Sequence, residues 1–367
     1  GGSGKNALNH MINAKVKGVE FVAVNTDAQD LHHTLTKRKI HIGKNLTKGL
    51  GTGMNAELGK RAAEETREEI QEALKGADMI FIAGGEGGGT CTGAAPIVAK
   101  IAKEIGALTV AVVTKPFSFE GIQRMRLAEQ GLEELRKSVD AIIVIPNDRL
   151  LATVDKNTTA KQAFAMCDEV LKQAVEGISD LIVTPGVINV DFADIRSILE
   201  NAGSALMGIG IAAGDKRAEE AARQAINSPL LDVSINGAKG LLFSIAGGED
   251  LTMFEIQDAA RVITDSIDPN AKVIFGTIND DKLKKGEIKV TVIASGFTEM
   301  PGARKSLFSS EVGGNRDEKK GKIYNTLMGG ASTPAPVVKP EEKKTEPVKI
   351  EEDDDWGAVP SFLRRKK

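Results

Sequence analysis

The chain has 367 residues, 41% of them hydrophobic, and a formal net charge of -3. That length suits two domains with a sizeable core plus further segments, and the near balance of charge lacks the basic footprint of a nucleic-acid binder. The two cysteines, one Trp and one Tyr argue against a disulfide framework, point to a reducing cytoplasm and leave no aromatic platform for single strands.

In chain order, Gly1-Gly-Ser-Gly4 reads as an added linker or as a glycine loop whose preceding strand is not in the sequence. The helix start over residues 5–12 favours the second view. Residues 18–24 are strand-like and lead into a polar turn, Asn25-Thr-Asp27. A charged helix with Ala and Leu on one face is predicted over 56–75. Short apolar runs at 79–83, 108–114 and 141–145 are each followed by a loop and a helix. Nearly continuous apolar strands separated by helices predict a parallel sheet covered on both faces. Ligands of such sheets bind beyond the carboxyl ends of the strands. The loops at 25–27, 84–93, 114–121 and 146–148 therefore converge on one rim.

A long helix is predicted over 160–182, where Phe164, Cys167, Val170, Leu171, Ala174, Val175 and Ile178 recur at helical spacing and read as a core-facing stripe. Another helix opens at 189–194. Strands at 205–213, 240–246, 271–278 and 287–294 alternate with helices near 217–226 and 253–266, the pattern of a second α/β domain with a mixed sheet. From about residue 298 the periodicity ends and Lys, Glu, Pro, Ser and Gly dominate, a composition too polar to order itself. The chain closes with Trp356, Val359, Phe362 and Leu363 set between acidic and basic blocks, as in a docking peptide. No apolar run has membrane-spanning length, and the start shows no cleavable signal pattern. The four histidines have no zinc-type spacing with either cysteine.

The richest motif is Gly84-Gly-Glu-Gly-Gly-Gly-Thr-Cys-Thr-Gly93, between the apolar run at 79–83 and a helix-like segment over 96–104. A strand, a glycine loop and a helix in that order aim backbone N–H groups and a positive helix end at one point, which suits a phosphate. Thr90 and Thr92 add hydroxyls. A flexible connection is the plainer alternative. The loop is no Walker motif: from Gly53 to Lys60 there is one residue too many and no hydroxyl follows. A dinucleotide fingerprint fits only at Gly208-Ile-Gly210-Ile-Ala-Ala213, inside a strand-like stretch, where glycines that admit a neighbouring backbone are the simpler reading.

These pieces resemble the FtsZ family, the bacterial tubulin homologues of cell division. The family's Gly-Gly-Gly-Thr-Gly-Thr-Gly signature stands here as Gly87-Gly-Gly-Thr-Cys-Thr-Gly93, and Asn189-Val-Asp-Phe-Ala-Asp194 is intact. Val24-Asn-Thr-Asp-Ala-Gln29, Lys48-Gly-Leu-Gly51, the stretches at 113–121 and 145–148, Ser228-Pro-Leu-Leu231 and Val359-Pro-Ser-Phe-Leu-Arg364 also match. The resemblance runs from Gly1 to about Phe297 and resumes in the tail.

It implies a tubulin-type parallel-sheet GTPase domain over 1–159, a central helix over 160–183 and an activation domain with a mixed sheet over 184–297. A disordered linker over 298–350 and a partner-binding peptide over 351–367 would follow. The ligands implied are GTP or GDP with Mg2+, which would offset phosphate charge; no metal-ligating residue is assigned. Gly2, Ser3, Gly4, Lys5 and Asn6, with Gly87, Gly88, Gly89, Thr90, Cys91, Thr92 and Gly93, would cradle the phosphates. Asn25 would sit in a second nucleotide loop. Glu120 and Arg124 would flank the ribose, and Asn147 would lie near sugar and base. Phe164 would pack on the guanine ring and Asp168 would accept from its N1 and N2 donors; their spacing puts both on one helix face. Asn189, Asp191 and Asp194 would be catalytic, reaching the nucleotide of the next subunit in a head-to-tail filament. The two aspartates, three apart, can polarise one water; a negatively charged helix start is the simpler reading of these two residues taken alone. The tail would dock on an actin-like membrane tether and other division proteins at a mid-cell ring, in the cytoplasm, with no nucleic acid bound and no direct membrane insertion.

Cys91 and Glu86 depart from the family pattern. If the replaced glycine needs positive φ, Cys91 costs on the order of 1–3 kcal/mol of strain. A carboxylate at Glu86 is unfavourable beside a triphosphate unless it points to solvent, magnesium or a partner subunit. Together with the absent first strand, they motivate the alternative of a GTP-binding filament scaffold with impaired hydrolysis.

Overall fold

A computed structural model describes residues 1–151, 157–231, 235–280 and 282–297. The proposed linker and partner-binding peptide lie outside these residues. The first element is a helix, α1 (Gly2–Asn13), followed by β1 (Val22–Asn25), α2 (Ala28–His32) and β2 (Arg38–His41). Then come α3 (Lys44–Thr47), α4 (Ala56–Glu65) and α5 (Arg67–Leu74). β3 (Met79–Gly85), α6 (Thr90–Glu104), β4 (Leu108–Lys115), α7 (Ile122–Arg136), β5 (Ala141–Pro146) and α8 (Asn147–Leu151) alternate. A long helix, α9 (Ala160–Val183), leads to α10 (Phe192–Leu199) and β6 (Gly203–Ala213). The last elements are α11 (Arg217–Ile226), β7 (Gly240–Gly247), α12 (Met253–Thr264), β8 (Lys272–Asn279) and β9 (Glu287–Ser295).

Seven strands form one sheet in the order β3-β4-β5-β6-β9-β7-β8, and β1 and β2 pair separately. β3, β4, β5 and the start of β6 run parallel, with Met79 opposite Leu108, Val110 opposite Ala141 and Ala141 opposite Gly203. From Leu206 onward β6 leaves β5 and pairs antiparallel with β9, while β7 pairs antiparallel with β9 and parallel with β8. The expected parallel sheet followed by a mixed sheet is what forms, joined through β6.

β4 is buried along all but its last residue. Successive side chains of a strand point to opposite faces. Val110 and Val112 enter the core shared with α1 and α9, and Ala111 and Val113 enter the one shared with α6 and α7. A strand packed on both sides has no polar face, which is why its sequence reads as a continuous apolar run. α9 supplies Cys167, Val170, Leu171, Ala174, Val175, Ile178 and Leu181 to the first core. Its start is set by Thr159 and Gln162, which cap each other's backbone.

Two local expectations are corrected, and one strand was not foreseen. The charged helix over 56–75 is two helices, because Thr66 breaks it: its hydroxyl donates to Ala62 O and accepts from Gly43 N–H, a side-chain alternative to the helical ladder. α6 begins at Thr90 rather than at residue 96, so the last residues of the glycine motif are its first turn. β2 carried no sequence signal, since only Ile40 of its four residues is buried.

The glycines of the weak dinucleotide match pack α11 onto β6. A Cβ at Gly208 would lie 1.9 Å from Ala225 O, and one at Gly210 would lie 2.0 Å from Ala221 O. They admit a neighbouring helix backbone.

Candidate functional site

Two helices begin at one place. α1 starts at Gly2 and α6 at Thr90, neither start has a side-chain cap, and both line a cavity of about 440 Å³. A helix start leaves up to four backbone N–H groups without intrahelical partners and carries partial positive charge. Glycines make the convergence possible. A Cβ on Gly4 would sit 3.0 Å from Ala83 O, and one on Gly85 would sit 2.7 Å from Ser3 Oγ. Gly87, at φ +92°, lies against Arg124 and Pro116.

Thr90 is tied on both sides. Its hydroxyl lies 2.9 Å from that of Thr26 and 3.2 Å from that of Thr52, all three buried. Thr52 and Gly53 line the cavity from the segment between α3 and α4. Behind this wall, Asn25 accepts from Thr26 N–H at 2.9 Å and donates to Asp30 at 2.8 Å. Lys5 Nζ is held by the same Asp30 at 2.5 Å. Lys5 and Asn25 thus brace the α1–β1–α2 corner and do not line the cavity. Gly93 and Thr92 also lie behind it: Gly93 meets α4, and the Thr92 hydroxyl accepts from Gly87 N–H at 2.9 Å.

The other end of the cavity is built by β4, β5 and α9. Thr114, Pro116, Glu120, Arg124, Asn147 and Phe164 line it, together with Cys167 and Asp168. Glu120 accepts from Phe117 N–H at 2.9 Å and from Arg124 at 3.0 Å, which fixes the loop after β4. Phe117 in turn meets Phe164 edge to face, 5.3 Å between centroids. Phe164 is 46% exposed, so one aromatic face is open to the cavity. Asp168 follows one helical turn later, and burial pushes its carboxyl up to about 6, with His10 opposing. Asn147 is buried and its Oδ1 has no partner among the described residues.

One of the two departures from the glycine motif, Cys91, is accommodated without strain. Cys91 lies in the first turn of α6 and does not have positive φ, so the strain expected there is absent. Its thiol occupies space left by Gly84, where a Cβ would lie 2.5 Å from Sγ. Burial raises the thiol's pKa, and the nearby Glu86 carboxylate adds to this.

Asn189, Asp191 and Asp194 are elsewhere. They follow the far end of α9, and the helix between Asp168 and Val183 spans on the order of 20 Å. Asp191 is the N-cap of α10, accepting from Ala193 N–H at 2.8 Å, and Asn189 accepts from Gly186 N–H at 2.9 Å. Asp191 immediately precedes α10, and Asp194 is in its first turn. Asp194 is exposed, with no hydrogen bond to its carboxylate among the described residues. Sequence reasoning missed Thr52, Gly53, Gly85, Thr114, Pro116 and Cys167 as lining residues. Thr114 and Pro116 belong to a rim loop identified from the strand pattern, whereas Cys167 reads simply as core.

A model of the GTPase domain of the tubulin/FtsZ family matches residues 1–155, and one of the FtsZ family C-terminal domain matches residues 203–298. An FtsZ dimer structure from M. jannaschii is 47% identical, covering 80% of this chain and 85% of that one, with a TM-score of 0.77. The chain belongs to the FtsZ family. The likeness in fold extends to CetZ1 of Haloferax volcanii, a GDP-bound monomer, at 24% identity, 82% and 93% coverage and a TM-score of 0.70. It extends also to CetZ2 of the same organism, a GTPγS-bound protofilament, at 24% identity, 82% and 91% coverage and a TM-score of 0.68. Within this FtsZ-family chain, among the described residues, no helix is long and apolar enough to cross a membrane.

Proposed function

We propose that the cavity binds GTP and that this chain hydrolyses it in head-to-tail filaments of the division ring. The observation that carries the reading is chemical polarity within one cavity. Two uncapped helix starts lie at one end and a carboxylate beside an open aromatic face at the other. The first suits phosphates. The second suits guanine, whose N1 and N2 donors match an ionised Asp168. The unpartnered Asn147 Oδ1 would take a donor from sugar or base, and Glu120 would accept from sugar hydroxyls.

No group of three or more His, Cys, Asp or Glu side chains among the described residues could hold a metal ion. A divalent cation accompanying GTP would offset the charge of the phosphates.

Among the described residues, the cavity has no carboxylate free for hydrolysis: Asp168 would serve the base, Glu120 is engaged by Arg124, and Glu86 is buried. Asp194, at the far end of α9, would polarise water on the γ-phosphate of the next subunit. A face that meets a different face of its copy makes open filaments. The tail would link such filaments to a membrane tether.

Turnover per subunit, measured against protein concentration with sedimentation in parallel, tests this. Near-zero turnover in dilute protein, rising where the protein begins to pellet, is expected. Turnover independent of concentration would rule out the shared site. Of the three motives for the alternative of an impaired scaffold, one falls away: Cys91 does not have positive φ.

A further inference from the structure

Glu86 directly follows β3 and opens the glycine loop. Its backbone N–H bonds to Thr114 O at 2.9 Å, so the residue is held in the sheet's register. It lines the cavity, yet is only 4% exposed. Oε1 lies 3.7 Å from the Cys91 thiol, and Oε2 has no hydrogen-bond partner among the described residues. The carboxylate fits because α7 carries Gly131 opposite it, where a Cβ would lie 2.7 Å from Oε2.

Among the described residues, the groups facing it supply no countercharge; the Gly1 amine, which also lines the cavity, sits by Cys91 and Asp30. From α6 it meets Cys91 and Thr92, from β4 Thr114, and from α7 Gly131; Arg124 of α7 is paired with Glu120. A buried carboxylate without a cation is costly when ionised and cheap when protonated. Burial pushes it up to about 7, with the Thr92 and Cys91 hydrogen bonds opposing. A polyphosphate entering this cavity brings further negative charge alongside, which favours the neutral form more strongly still.

Resting on the nucleotide reading of the cavity, we propose that Glu86 is the proton-binding group of the site and takes up one proton as the polyphosphate enters. Below pH 7 the proton is already present and binding takes up none at this residue. Above pH 7 each nucleotide bound brings a proton with it, so affinity falls by up to tenfold per pH unit until the bound state also ionises. A loop that retains a carboxylate beside its phosphates thereby couples nucleotide loading to proton concentration.

The test is calorimetry of GDP binding to the full chain at pH 6 and pH 8, in buffers of different ionisation enthalpy, for wild type and Glu86→Gln. The phosphate's own ionisation is common to both proteins and cancels. At pH 8 the wild type is expected to take up close to one proton more than the variant, and at pH 6 the difference vanishes. The variant's affinity advantage should grow by about fivefold between pH 7 and 8. Equal proton uptake and parallel pH profiles overturn the proposal. Carbon-13 glutamate labelling of the wild type gives a second readout free of any folding defect in the variant. A Glu86 carboxyl titrating near 7, moved upward by GDP, supports it; one titrating below 5, or unmoved by GDP, overturns it. No GDP binding at any pH would overturn the nucleotide reading itself, and this one with it.

Discussion

Gly93 on α6 and Ala56 on α4 touch backbone to backbone: a Cβ on Gly93 would lie 1.9 Å from Ala56 O. Gly59 of α4 makes the reciprocal approach, its missing Cβ facing Gly89 O at 2.2 Å. Glycines that look like phosphate ligands in the sequence therefore also seat the helix that braces the phosphate wall. Gly93→Ala should push α4 outward, costing about 1–3 kcal/mol, and weaken GDP binding through the displaced Thr90 and Thr52. Thermal melts and GDP titration check both effects. A variant as stable and as tight as wild type would show that the contact is dispensable.

Cys91 and Gly84 form a second matched pair, and a double-mutant cycle isolates it. Gly84→Ala alone should destabilise by about 1–3 kcal/mol, because its Cβ meets the thiol. In a Cys91→Gly background the same change should cost much less. Cys91→Gly alone should lower stability by about 0.5–1 kcal/mol, as glycine does within a helix, and leave turnover near wild type. A large gain in turnover would instead revive the impaired-scaffold reading.

The carboxylates of α10 separate by chemistry. Asp194 is exposed, so Asp194→Ala should leave stability unchanged and GTP binding intact while abolishing most turnover. Asp191 caps α10, so Asp191→Ala should cost about 0.5–2 kcal/mol in addition to any loss of turnover. Asp191→Asn keeps a good cap and should restore stability without restoring turnover. Melting curves beside phosphate-release rates read this, and full turnover in Asp194→Ala would remove the shared-site mechanism.

Asp168 sets the acid limb of nucleotide binding. Its carboxyl, raised to about 6 by burial, accepts guanine N–H groups only when ionised. GDP affinity should therefore fall as pH drops through about 6, by up to tenfold per unit. Asp168→Asn should flatten that limb and lose preference for guanine over adenine nucleotides. Competition binding at pH 5 and 6.5 measures it; an unchanged acid limb in the variant would assign the effect elsewhere. With Glu86 acting above pH 7, affinity is expected to be greatest between pH 6 and 7.

The strand–helix alternation up to Pro146 was legible because strands buried on both faces are apolar throughout, as β4 and β5 are. α9 was legible because a helix packed along one side repeats its apolar residues every three or four positions. β2, with one buried side chain, left no such trace, and neither did the hydroxyl of Thr66 that splits a helix pattern in two.

By itself the sequence determined the family, the order of elements and the rim on which a ligand would sit, since these rest on local periodicity and on motifs read along the chain. Tertiary structure alone decided the rest. It turned Lys5 and Asn25 toward Asp30, made Asp191 a helix cap, found room for Cys91 in the space of Gly84, and buried Glu86 against Gly131 without a countercharge. Each of these depends on which backbone comes within a few ångströms of which side chain, and distance between residues far apart in the chain is set only when the chain packs.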